Sequence, residues 1–171
     1  MTKKLAVASI YAAMSVVSLL VASLFPVRIS MCIIASLITA IVTIECGHKY
    51  AWLTFLSVSI ISFLLIPKKS VVYIYILFLG YYPILKLYIE RLAHLIHEWI
   101  AKIVFFSIIL IIAHFSFKTF FMPSFDTEII KLIYKHLAAI FALANVIFIV
   151  YDFGLTFIIS FYVHRIKKNI K

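Results

Sequence analysis

The chain has 171 residues, 66% of them hydrophobic and only 13% charged, with a mean hydropathy of +1.20. That is more apolar surface than a water-soluble domain of this size can bury, so the composition excludes a soluble enzyme and indicates an integral membrane protein. The formal charge of +10, from 16 Lys and Arg against 6 Asp and Glu, sits at the ends of apolar segments and argues against nucleic acid as a partner.

A helix crosses the ~30 Å hydrocarbon layer in about 20 residues, so the chain can hold about six spans in a single membrane domain, residues 1–171. The fold class expected is an all-α polytopic membrane helix bundle. The first segment follows Lys3 and Lys4 as in a signal peptide, but it runs from Leu5 to Phe25 without a small-residue cleavage site and is predicted to be a retained helix. Its small residues include Ala8 and Ala12, four apart, a spacing that lets helices approach closely in lipid and marks a partner-helix face. Pro26-Val27-Arg28 separates it from a second span, Ile29 to Ile44. Glu45-Cys46-Gly47-His48-Lys49 precedes a third, Tyr50 to Ile66, and Pro67 to Ser70 precedes a fourth, Val71 to Leu85. Proline and glycine recur at these joints because they break helices. The fifth and sixth spans are predicted at Ile103 to Phe117 and Leu137 to Val163, joined by a polar connection around Pro123 to His136. The fourth and fifth are short and can each borrow a turn from the charged stretch between them, since Lys and Arg snorkel.

That charged stretch places Lys86, Glu90, His94, Glu98 and Lys102 four residues apart on one helical face, with Leu85, Ile89, Leu92, Ile96, Trp99 and Ile103 on the other. It is predicted to be an amphipathic charged helix between spans four and five, lying at the interface or docking a partner. Its His97-Glu98 begins like the zinc-protease pattern H-E-x-x-H, but position 101 is Ala101 and the second ligand is missing. No Gly-rich phosphate loop or nucleophile elbow occurs, and Cys32 and Cys46 form no disulfide or metal pattern. The chain is expected to be no enzyme and to need no metal or cofactor.

In the sixth span Asn145, Asp152 and Thr156 share a face, and an acid in mid-span costs several kcal/mol unless paired, protonated or wet. Asp152 is therefore a candidate functional residue, or a polar contact holding the bundle together. Glu45, at a span end, is a weaker candidate of the same kind, and His114 in span five is a possible partner for Asp152. With both termini inside, ten basic residues fall on the cytoplasmic side and six outside, the orientation the positive-inside rule prefers in a cell membrane.

About six short spans in under 200 residues, with Ala8-x-x-x-Ala12 in the first, resemble the substrate-binding S subunit of energy-coupling factor (ECF) vitamin transporters. The segments "ECGHKYA", "LFLGYYPILKLYIERL", "EWIAKIVFF" and "NVIFIVYD" also resemble an uncharacterised group of small membrane proteins of Gram-positive bacteria, a likeness that carries no activity with it. The first resemblance implies that Ala8 and Ala12 contact a transmembrane coupling subunit, that separate ATPase subunits supply energy, and that a small vitamin-like or anionic solute binds near the outer face. A basic rim of Arg28, Lys68, Lys69 and Lys118, with Phe25 and Tyr73 nearby, would suit such a solute. Two other classes fit the residues: an ion-coupled carrier titrating Asp152 and Glu45, and a non-enzymatic membrane assembly protein that uses its charged stripe and alanine face only for docking.

Overall fold

In lipid every backbone polar group must be satisfied within its own segment, and a chain with these apolar runs answers with helices. The computed structural model describes residues 2–90, 95–120 and 137–166. Six helices in it are long and apolar enough to cross a membrane: Thr2–Leu24, Arg28–Glu45, His48–Leu65, Lys69–Ile89, Ile96–Ser116 and Ala139–Arg165. The structure is an all-α bundle of the multi-pass kind, and among the described residues there is no strand. The contacts fall into two compact units, Met1–Arg91 and Leu92–Lys171, within what was expected to be one membrane domain.

The first unit holds four spans. Helix α1 (Thr2–Leu24) ends where Pro26 denies its predecessor the helical region. Helix α2 (Arg28–Glu45) returns and stops at Cys46 and Gly47, whose N–H groups bond to the carbonyls of Val42 and Thr43. Gly47 has φ +98°, a left-handed conformation that other residues adopt at a cost, so the turn into α3 (His48–Leu65) depends on glycine there. Pro67 closes α3. The fourth span is not one regular helix. It comprises α4 (Lys69–Ile74), a wide π-helical turn over Tyr75–Leu79, and α5 (Tyr82–Ile89). Pro83 cannot donate to a carbonyl one turn back, and the preceding widened turn absorbs the break, with the Gly80 N–H bonded five residues back to Tyr75 O at 2.7 Å.

The core of this unit mixes many small residues with a few rings and aliphatic side chains, Leu19, Ile66 and Ile84 among them. Ala22, Ala35, Ala51, Val42 and Val58 are fully buried, together with Ser15, Ser36 and Ser62. Many other Leu, Ile and Phe side chains are on the outside, as expected where the solvent is as apolar as they are. Tyr75, also buried, lies 3.3 Å from the Thr39 hydroxyl and packs on Phe55.

The second unit is an antiparallel pair, α6 (Leu95–Phe120) and α7 (Leu137–Phe161), the latter continued by a π-helical turn over Tyr162–Ile166. Phe106 stacks on Phe148 with ring centroids 4.3 Å apart, and Lys102 meets Asp152 at 2.9 Å. Four residues forward on α6 correspond to four back on α7, which sets the register.

Spans four and five reach further than the apolar runs alone, and take up the charged stretch between them. Residues 86–90 finish α5 and its cap, residues 95–102 begin α6, and 91–94, including His94, lie outside the described residues. The described parts of the stretch are thus the ends of two spans. Nor are its lysines a solvated stripe: Lys86 is fully buried and Lys102 nearly so, each with a glutamate one turn away that offsets its charge.

Gly80 gives a direct test of the fourth span. A Cβ there would stand 2.7 Å from two Phe55 ring carbons and 2.8 Å from the Tyr75 ring, whereas one at Gly154 would meet nothing within 4 Å. Gly80→Ala is expected to destabilise by about 1–3 kcal/mol, and Gly154→Ala to leave stability unchanged or raised, both read as thermal unfolding in detergent. Equal midpoints for the two variants would refute the close packing of span four on α3.

Candidate functional site

Two features concentrate the candidate residues. The first is ionic and belongs to the second unit. Lys102 Nζ donates to Glu98 Oε1 at 2.6 Å, one turn back on α6, and to Asp152 Oδ2 at 2.9 Å on α7. Lys102 and Asp152 are each 2% exposed, and Glu98 17%. The ammonium also lies 5.4 Å from the centre of the Trp99 indole, whose ring contacts Phe153. One buried cation is thus held by two carboxylates and an aromatic face. In so apolar a setting the attraction is strong, but so is the cost of stripping water from the ions, and the arrangement persists because each charge is paired.

This answers the question raised by the acid in mid-span: Asp152 is ion-paired. The sequence placed Lys102 on a docking stripe and proposed His114 opposite Asp152. His114 lies twelve residues beyond Lys102, about 18 Å further along α6 at 1.5 Å per residue, while Lys102 is at hydrogen-bond distance. The signal available was depth: an acid within an apolar span calls for a cation at a matching level of a neighbouring span.

Asn145, Asp152 and Thr156 share a face of α7. The Asn145 amide donates to Phe141 O and the Thr156 hydroxyl to Asp152 O, both at 2.9 Å and both one turn back on the same helix. Glu45 is exposed at the end of α2. Beside it, burial raises the Cys46 thiol above its usual pKa, and the Glu45 carboxylate adds to the effect while Lys4 opposes it. Lys86 pairs with Glu90 at 2.7 Å, and Glu90 joins Thr43, Ile44, His48 and Leu87 around a hollow of about 420 Å³ where α2, α3 and α5 end or begin.

The second feature is apolar and belongs to the first unit. An open groove of about 510 Å³ runs between α1 and α3, and Ala8 and Ala12 line it. Because these residues carry only methyl groups, the α1 wall is low, and the groove admits a bulky object close to the backbone. Sequence reasoning picked out the α1 side from its alanine spacing. It did not pick out α3, whose Thr54 and Ser57 form the opposite wall.

Comparison with protein-family models, curated proteins and solved structures finds no match to this chain.

The ionic cluster is expected to behave as one unit. Lys102→Met leaves Asp152 buried without its cation and should cost about 3–5 kcal/mol, and Asp152→Leu, which leaves Lys102 still paired with Glu98, should cost less. The double variant Lys102→Met with Asp152→Leu should recover most of that loss in a thermal unfolding series. Additive losses in the double variant would show that the two residues act separately.

Proposed function

We propose that this chain is a non-enzymatic, transport-related membrane subunit of the S type: it binds a small vitamin-like or anionic solute and docks through α1 on a transmembrane coupling subunit served by separate ATPases. The observation that carries this reading is the groove at Ala8 and Ala12, whose methyl side chains permit close approach of another helix. The six apolar helices supply the architecture such a subunit needs.

The rim also supports it. Arg28 opens α2, and Lys68 and Lys69 open α4, so both turns at that end of the first unit carry basic residues. Lys69 is anchored there by a hydrogen bond to Phe63 O and by its position over the Phe63 ring, 4.8 Å from the centre. Cations gathered at one end of a bundle raise the local concentration of an anionic solute. In a cell membrane with both termini cytoplasmic, this end faces outward and the α2–α3 turn faces the coupling subunit's ATPases.

A second reading, ion-coupled carriage through Asp152, is favoured by the burial of a carboxylate within a span. The two differ in what Asp152 does. In the S-type reading the Lys102–Asp152 pair holds α6 to α7 and the transported solute binds elsewhere. In the carrier reading Asp152→Asn abolishes uptake outright while the protein still assembles. A membrane assembly factor would share the docking groove and carry no solute.

The test is purification in mild detergent from the native host, with mass spectrometry of co-purifying subunits and retained small molecules. The expected result is a coupling subunit with paired ATPases, lost in Ala8→Leu and Ala12→Leu, and a solute retained by both variants. Purification alone and empty, with proton-dependent uptake that Asp152→Asn removes, would replace this reading by the carrier.

A further inference from the structure

Positive charge gathers after α7 faster than the chain can match it. Residues 165–171 hold Arg165, Lys167, Lys168 and Lys171, and no acid follows Asp152. The chain has six acids in all. Glu98 and Asp152 are taken by Lys102, and Glu90 by Lys86. Asp126 and Glu128 come before α7, whose 25 residues separate them from Arg165. That leaves Glu45, one carboxylate against four cations.

The first of these cations is held at a definite place. Arg165 is exposed, with its guanidinium carbon 5.4 Å from the centre of the Phe161 ring one turn back. Among the described residues it has no carboxylate partner. Its neighbour His164 turns back on its own helix, with Nδ1 3.0 Å from Ser160 O. The guanidinium thus retains its N–H donors, while its stem and the ring beneath it stay against apolar surface. Below the cation the helix is apolar and exposed: Phe161 is 46% exposed and Phe157 73%, and Phe153, a further turn back, is exposed beside Trp99. From Phe153 to Phe161 is about 12 Å along the helix axis, most of the depth of one leaflet at about 15 Å. A cation at the end of an apolar strip one leaflet deep complements a molecule with an anionic head and a hydrocarbon tail.

We propose that the end of α7 is a binding site for an anionic phospholipid, whose phosphate pairs with the Arg165 guanidinium and whose acyl chain lies along Phe161 and Phe157. Arginine suits the phosphate because its planar fork donates to two oxygens at once. The charges of Lys167, Lys168 and Lys171 select a lipid of net negative charge over a zwitterionic one, since each cation near an anionic membrane surface adds about fivefold to affinity. The site does not depend on the docking proposed for α1.

The experiment is native mass spectrometry of the full chain, purified in detergent and titrated with phosphatidylglycerol or with phosphatidylcholine of the same acyl chains. Phosphatidylglycerol is expected to bind about tenfold or more tightly than phosphatidylcholine. Arg165→Gln should weaken it about fivefold, and Arg165→Lys should restore most of that loss. Joint replacement of Lys167, Lys168 and Lys171 by Gln should weaken it about tenfold or more, and Phe157→Ala should weaken it as well. Lys3→Gln with Lys4→Gln removes two cations from the other end of the sequence and should leave binding within about twofold. Equal binding of the two lipids, or an equal loss in the Lys3 and Lys4 variant, overturns the inference, because the attraction would then be unselective or spread over the whole basic chain. Displacement of phosphatidylglycerol by inorganic phosphate overturns it too, since the site would then hold an anion and no lipid. So does binding that survives Arg165→Gln combined with the three lysine replacements.

Discussion

The structure depends on one constraint: lipid does not drive helices together as water does. Apolar side chains gain nothing by leaving hydrocarbon for a protein core, so cohesion comes from backbones brought close and polar groups brought into contact. Each unit uses one of these means. The first packs Ala22, Ala35 and Ala51 and a set of serines into a core where helices approach closely. The second joins two long apolar helices through a lysine and an aspartate, with stacked phenylalanines one turn away.

The same constraint explains where charge is tolerated. Lys86 and Lys102 lie within or at the ends of spans, which a hydropathy count alone would resist. Each has a glutamate one helical turn away, Glu90 at 2.7 Å and Glu98 at 2.6 Å. An ion paired along its own helix carries part of its compensation with it, so the helix can extend through the charge without ending there.

How much of this was legible in the sequence follows from which signals are local. Six spans could be read because twenty apolar residues in a row identify a crossing without knowledge of any neighbour, and Pro26, Gly47 and Pro67 mark three of the joints. The limits of spans four and five could not be read as well, because Lys86 and Lys102 look like boundaries until their partners are counted. Asp152 stood out as an anomaly, yet its partner lies fifty residues away and becomes visible only once the register of α6 on α7 is fixed. Thr54 and Ser57, on the α3 wall of the groove, gave no signal, since hydroxyls are common in spans. The wide turn at Tyr75–Leu79 was equally silent: Pro83 announces a disturbance but not its form.

The placing of Glu98 bears on how the second unit is made. Synthesis runs from the amino terminus, so α6 exists before α7 does, and during that interval Lys102 has no Asp152. Glu98 is four residues earlier on the same helix and is available as soon as that turn forms. The growing chain therefore presents a hydrophobic helix whose charge is already matched, and Asp152 arrives later as a second carboxylate. An ion pair that would be awkward to assemble between two separately charged spans can thus be completed one helix at a time.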